Sequence, residues 1–163
     1  KLEKVVDVAL SSSAAPVYFP SYYKHIDGGV IANNPDTAAI SYAVGKNGAH
    51  QKLENVVHLS LGTGWNPMKI SRDTTNWGIA QWAYSLSPGP PNPKLPLLTI
   101  LTEGDVESDT FISQQLLNDR YFRLNPRLPE KILLDDYKKV PELIRLANHT
   151  DLTKATEFVL KHW

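Results

Sequence analysis

Leu2, Val5, Val6, Ala9 and Leu10 recur at three- and four-residue spacing, with Glu3, Lys4 and Asp7 on the other side. That period predicts a short amphipathic helix. Ser11, Ser12 and Ser13 compete for backbone hydrogen bonds and Pro16 cannot continue the ladder, so the helix should end near Ser12. Val17 to Tyr23 is aromatic and punctuated by prolines, which suggests irregular extended chain. Lys24 to Asp27 reads as a very short strand entering a Gly28-Gly29 turn. Asn34-Pro35-Asp36 looks like a helix start: Asn34 as cap, Pro35 in the first turn, Asp36 complementing the dipole. Ala38, Ala39, Tyr42 and Ala43 supply its apolar face, and Gly45 or Gly48 should end it.

Asn55 to Leu61 (NVVHLSL) is β-branched and aliphatic and runs into Gly62 and Gly64, the pattern of a buried strand emptying into a loop. Trp77 to Leu86 can form a helix. Five prolines between Pro88 and Pro96 predict a loop or flap there. Pro96 to Leu117 reads as a helix weakened or interrupted at Gly104, and Tyr121 to Leu124 as a strand fenced by Pro126 and Pro129. Leu143, Ile144, Leu146 and Ala147 suggest a helix after Pro141. Asp151 should cap a last one in which Leu152, Ala155, Phe158 and Val159 align. Helices alternating with short buried strands favour an α/β fold.

Composition narrows the function. The 163 residues are 42% apolar, enough for a sizeable core. With 17 basic and 17 acidic side chains the formal charge is zero, so there is no strong electrostatic footprint for nucleic acid or an anionic membrane. No apolar run reaches the length of about 18 residues that a spanning helix needs. The absence of cysteine removes a disulfide frame, a thiolate nucleophile and Cys-type zinc sites. It also fits a reducing compartment, and a cytoplasmic or membrane-peripheral location is the expectation. The first residue is Lys1, and a helical pattern is already under way at Leu2, as if the chain began inside something larger.

The densest chemistry lies in SSSAAPVYFP (Ser11 to Pro20), HIDGGVIANNP (His25 to Pro35) and HLSLGTG (His58 to Gly64). Asp27 is followed by Gly28 and Gly29, which lack a Cβ and allow close approach by another backbone or a substrate. A carboxylate with an ordinary pKa of about 3.9 is a weak base toward serine, so such a role calls for apolar neighbours, for which Ile26, Val30 and Phe19 are candidates. On the dipeptide alone, a turn aspartate bonding its own backbone is the better account of Asp-Gly.

Taken in order, S-x-A-A-P-x-Y-F-P, D-G-G-V-x-A-N-N-P and L-S-L-G-T-G resemble the second half of the patatin-like acyl-hydrolase family. The segment YFRLNPRLP…LLDD, Tyr121 to Asp136, resembles the end of that domain. The resemblance runs from about Lys1 to the last helix and is weakest between Trp65 and Asp119. It implies a modified α/β-hydrolase of three layers, short central strands flanked by helices, with residues 1–163 forming the C-terminal portion of a single domain. It also implies a Ser-Asp dyad without histidine, in which Asp27 activates the serine and Gly28 and Gly29 complete its motif. No metal or other cofactor is implied, and the substrate would be a phospholipid, galactolipid or neutral lipid.

Two parts of that machinery are missing from the sequence. The family's nucleophile stands in G-x-S-x-G at a strand-to-helix turn, and its oxyanion hole in D-G-G-G-x-R-G. Neither is here, since Val30 follows Gly29 and no arginine comes after it. His58-Leu59-Ser60-Leu61-Gly62 comes nearest to the nucleophile motif, but His58 replaces its first glycine, so Ser60 reads as a buried or strand-end hydroxyl. The expectation is therefore a chain without its nucleophile, inactive by itself and dependent on a missing N-terminal half or a partner chain.

Other readings are weaker. A Ser-His-Asp set would need His25, two positions before Asp27, or His58, which looks like a core histidine; His50, His149 and His162 look solvated. HLSLGTG has glycines after a strand but neither a phosphate-loop lysine nor a dinucleotide fingerprint. Asp135 with Asp136, and His149 with Asp151, lack metal-ligand spacing. Trp77, Trp82 and Tyr84 suit either an apolar flap or ordinary core. A non-catalytic remnant that binds lipid or a protein partner is the alternative from another class.

Overall fold

Strand β1 (His58–Leu61) lies beside β2 (Tyr121–Leu124) in parallel, with His58 opposite Tyr121 and Leu61 opposite Leu124. Our computed structural model describes residues 3–65, 70–85, 93–130, 132 and 134–163. Helices α1 (Val5–Ser12) and α2 (Asp36–Val44) precede β1. Between the strands run α3 (Ile79–Ala83) and α4 (Pro96–Leu117), and after β2 come α5 (Val140–Asn148) and α6 (Thr153–His162).

Successive strand side chains point to opposite faces. His58, Ser60, Tyr121 and Arg123 meet the start of α2 on one face, where α4 also packs. On the other face Phe122 stacks on Phe158 of α6 with ring centroids 5.5 Å apart. Helix, sheet and helix therefore make three layers, a mixed α/β arrangement. Ile40, Leu117 and Tyr121 form the core of the first interface, joined by the partly buried Val56.

The expected strand over Asn55 to Leu61 is shorter in the fold. Leu53–Asn55 forms a 3₁₀ turn, and the Arg120 guanidinium donates to the Leu53 and Val56 carbonyls before the strand begins. Helix α4 runs unbroken through Gly104 for 22 residues, because the roughly 1 kcal/mol cost of one glycine is smaller than what its packing on α2 and α3 returns. Pro96 fits its first turn and is buried. The proline-rich loop expected over 88–96 falls largely on residues outside those described, of which Pro93 and Pro96 belong to the described part.

Lys24 to Asp27 is not a strand. The chain reverses between Tyr22 and His25, which exchange backbone hydrogen bonds of 3.0 and 2.9 Å. Tyr23 and Lys24 occupy the left-handed region at φ 46° and 65°. Asn-Gly is the usual signal for such a turn, so Tyr-Lys hides it from sequence reasoning. Trp77 and Trp82 pack edge to face at 5.0 Å, as aromatics do in ordinary packing.

The apolar stripe of α1 packs on little. The helix buries none of its residues, and Val5, Val6, Val8 and Leu10 are all exposed. Exposed apolar side chains also flank the Asp27 turn, among them Val17, Phe19, Ile26 and Ile31.

Candidate active site

Asp27 stands at the mouth of the 3₁₀ turn Gly28–Val30, half-buried. Its backbone N–H donates to the Ala14 carbonyl at 3.0 Å, which ties the turn to the serine-alanine-proline segment. Its Oδ1 accepts the Gly29 N–H at 2.7 Å. Among the described residues Oδ2 receives no hydrogen bond. The carboxylate is thus fixed through one oxygen, with the other left for a further donor. Ile26, Val30 and Phe19 are themselves exposed, so the described residues do not close the apolar enclosure expected of them.

Gly29 has a steric reason to be glycine. A Cβ there would come within 3.1 Å of Asp27 Oδ1 and 3.2 Å of Asn33 Oδ1. At Gly28 a Cβ would meet only Ser12 Oγ, at 3.9 Å. Beyond this turn the chain is gripped by α4. Asp105 Oδ2 accepts the backbone N–H of Asn33 at 2.6 Å and of Asn34 at 3.3 Å. One turn along α4, Asp109 accepts both the N–H (3.1 Å) and the hydroxyl of Thr37.

One expectation for the start of α2 is corrected. Asn34 does not cap that helix: Pro35 holds the cap position, and the Asn34 amide donates to Asp36 Oδ2 (2.9 Å) and Thr110 Oγ1 (3.1 Å). Its capping role passes to Asp109, a partner too distant in sequence for a motif to reveal. Asp36, expected to complement the dipole, is buried as well. It accepts from His58 Nε2 at 3.0 Å and the Tyr121 hydroxyl at 2.6 Å, and Arg123 Nη1 lies 3.7 Å away. Burial acts to raise the Asp36 pKa, but hydrogen bonds from His58, Tyr121, Asn34 and Ser60 outweigh it and hold the carboxyl well below its ordinary value. Burial and the neighbouring carboxylate push the Tyr121 hydroxyl up to about 12.

Ser60 belongs to this cluster and not to the Asp27 turn. It is buried, and its hydroxyl meets the Arg123 guanidinium at 2.5 Å. Serine, histidine and aspartate are therefore gathered at Ser60, His58 and Asp36, but the serine faces a cation and not the imidazole. A triad requires the imidazole to accept the serine proton. His25 is exposed at the chain reversal, and His50 and His149 are exposed as expected. His162 is not solvated: its ring packs against Phe158 at 4.8 Å and its Nε2 is buried.

The glycines of HLSLGTG serve the sheet. Gly62 N–H donates to the Leu124 carbonyl at 2.9 Å, and Gly64 N–H, at φ 105°, donates to Asn125 Oδ1 at 2.8 Å. A Cβ on Gly62 would lie 2.3 Å from that same Asn125 oxygen. The space and the Gly64 amide that a phosphate would use are taken by Asn125. Gly62→Ala is accordingly expected to displace Asn125 and lower stability by about 1–3 kcal/mol, read as a shifted urea midpoint. Among the described residues no group of three or more His, Asp or Glu side chains is placed to hold a metal. No described helix is long and apolar enough to cross a membrane.

The chain is thus a three-layer α/β unit that presents an aspartate on a D-G-G turn. The chain is 39% identical to "Putative sporulation hydrolase CotR" of Bacillus subtilis, over 99% of its own length and 54% of that protein. It is 30% identical to the 85/88 kDa calcium-independent phospholipase A2 of Rattus norvegicus, over 78% of the chain and 17% of the relative. With patatin-like protein 4 of Arabidopsis thaliana it shares 26% identity over 82% of the chain and 39% of the relative. The chain belongs to the patatin-like family. It spans about half the length of CotR. No protein-family model and no solved structure matches it.

Proposed function

We propose that this chain is the aspartate-bearing, C-terminal portion of a patatin-like lipid acyl hydrolase. The observation that carries the reading is the Asp27 carboxylate, held at one oxygen by the Gly29 N–H and, among the described residues, without a donor at the other. That second oxygen accepts the proton of a serine hydroxyl supplied by polypeptide outside residues 1–163. The serine oxygen attacks the ester carbonyl of a lipid, the alcohol leaves with the proton, and an acyl-enzyme remains. Asp27 then takes a proton from water, whose oxygen attacks the acyl carbon and releases the fatty acid as the serine recovers its proton.

The exposed apolar faces of α1 and of the Asp27 turn support the structural side of the reading. They are where the serine-bearing part of the domain would pack and complete the enclosure of the carboxylate. The dyad needs no metal, and the Rattus norvegicus relative is a phospholipase A2 described as calcium-independent.

Residues 1–163 alone are expected to show no turnover of a short-chain aryl ester. The same residues expressed within their full reading frame should hydrolyse that ester and a phospholipid in the presence of a chelator. A fluorophosphonate probe should label a serine outside this chain. Robust turnover by the chain alone, abolished by Ser60→Ala, overturns the reading, as does a full-length protein that neither turns over lipid esters nor takes the probe. The second result favours the non-catalytic remnant.

A further inference from the structure

We propose that Asp105 of α4 is a positioning residue for Asp27, acting across 78 residues of sequence through the backbone of the loop between them. The inference rests on the dyad reading above. The loop from Asp27 to Asn34 is held at two ends. At the first, Asp27 N–H bonds to the Ala14 carbonyl. At the second, a single carboxylate oxygen of Asp105 receives two consecutive backbone N–H groups, of Asn33 at 2.6 Å and Asn34 at 3.3 Å. A carboxylate accepting backbone N–H groups makes stronger, shorter bonds than a neutral acceptor does.

Between those ends the residues lie close together. The Asn33 side chain donates to the Thr102 carbonyl of α4 at 3.4 Å. Its Oδ1 and Asp27 Oδ1 flank Gly29 closely enough that a Cβ there would sit 3.2 and 3.1 Å from them. Gly29 in turn donates its N–H to Asp27. Asp105 fixes the backbone at Asn33, the Asn33 side chain leaves no room for a Cβ at Gly29, and the Gly29 N–H holds the Asp27 carboxylate. Nothing else among the described residues bonds to the backbone N–H groups of Asn33 and Asn34. Helix α4 supplies a rigid support, since it runs unbroken over 22 residues and packs on both α2 and β2. A site on a loop gains precision when its support comes from a regular element.

The test is made in the full-length protein with a lipid ester and an aryl ester, and kcat and KM are read separately. Loss of the Asp105 acceptor lets the Asp27 turn move, and misplacement of a reacting group by about 1 Å is worth roughly 100-fold in rate. Asp105→Ala is therefore expected to lower kcat about 10- to 100-fold with KM little changed. Asp105→Asn retains a side-chain oxygen acceptor and should restore most of that loss, which a general loss of folded protein would not explain. Thermal unfolding of each variant is measured alongside. If Asp105→Ala fails to fold, Asp105→Glu, which keeps the charge and displaces the acceptor, must show the same selective kcat loss.

The inference is overturned if folded Asp105→Ala or Asp105→Glu keeps wild-type kcat, or if Asp105→Asn is no better than Asp105→Ala. Asp27→Asn separates the two levels. If it abolishes turnover while the Asp105 variants do not, only the positioning role fails. If Asp27→Asn retains turnover, the dyad reading itself fails.

Discussion

Asp27→Asn in the full-length protein should lower kcat for ester hydrolysis by about 100- to 10,000-fold while leaving the fold in place. Asparagine keeps an oxygen that can accept the Gly29 N–H, now made at 2.7 Å, so the turn retains its shape. What it cannot do is take a proton from serine. The loss should therefore appear in kcat for both lipid and aryl esters, with KM and the unfolding midpoint close to wild type. Asp27→Ala should cost a similar amount in kcat, and some stability as well, because the Gly29 N–H loses its acceptor. A folded Asp27→Asn variant within tenfold of wild-type kcat would remove Asp27 from the mechanism.

The second large effect concerns stability. Asp36→Ala should destabilise the protein by about 3–5 kcal/mol, a large share of the roughly 5–15 kcal/mol that holds a typical domain together. Without that carboxylate, the Arg123 guanidinium, the Tyr121 hydroxyl, the Asn34 amide and the His58 ring lose a shared acceptor inside the protein. An uncompensated buried cation is the main cost. Urea unfolding at neutral pH measures it, and a change below about 1 kcal/mol would show that the cluster relaxes around the loss.

The same carboxylate predicts a pH dependence. Its folded pKa lies below the unfolded value of about 3.9, so its contribution is complete above that value and is lost as pH falls toward the folded one. Wild-type stability should fall on acidification below about pH 4, and Asp36→Asn should flatten that part of the profile. Tyr121 acts at the other end. Its hydroxyl is raised to about 12, so the stability it adds persists below its ordinary value and fades as pH climbs through the folded one.

How much of this was legible in the chain differs from element to element. Tyr121–Leu124 was readable as a strand because prolines fence it closely, at Pro126 and Pro129. The D-G-G turn was readable because Asp27 bonds a residue two positions away. The reversal at Tyr23 and Lys24 was not, since its left-handed backbone occurs in residues that do not advertise it. The burial of Asp36 was not readable, because its position at a helix start gives the same sequence signal whether the side chain meets water or a buried tyrosine. Asp105 and Asp109 carried no signal at all. Their partners lie more than 70 positions away, and an acid on a long helix resembles any other solvated charge.

The sequence by itself determined the alternation of helix and strand, the family motifs and the candidate base, because each rests on interactions within a few residues or on side-chain period. Tertiary structure alone decided which face of the sheet is polar, that Ser60 is spent on Arg123, and that α4 grips the loop behind Asp27. It also decided that α1 and the Asp27 turn present their apolar residues outward. The physical reason is range. Hydrogen bonds that fix local elements close within one turn of chain, whereas burial and long-range acceptors are assigned only when distant segments are brought together.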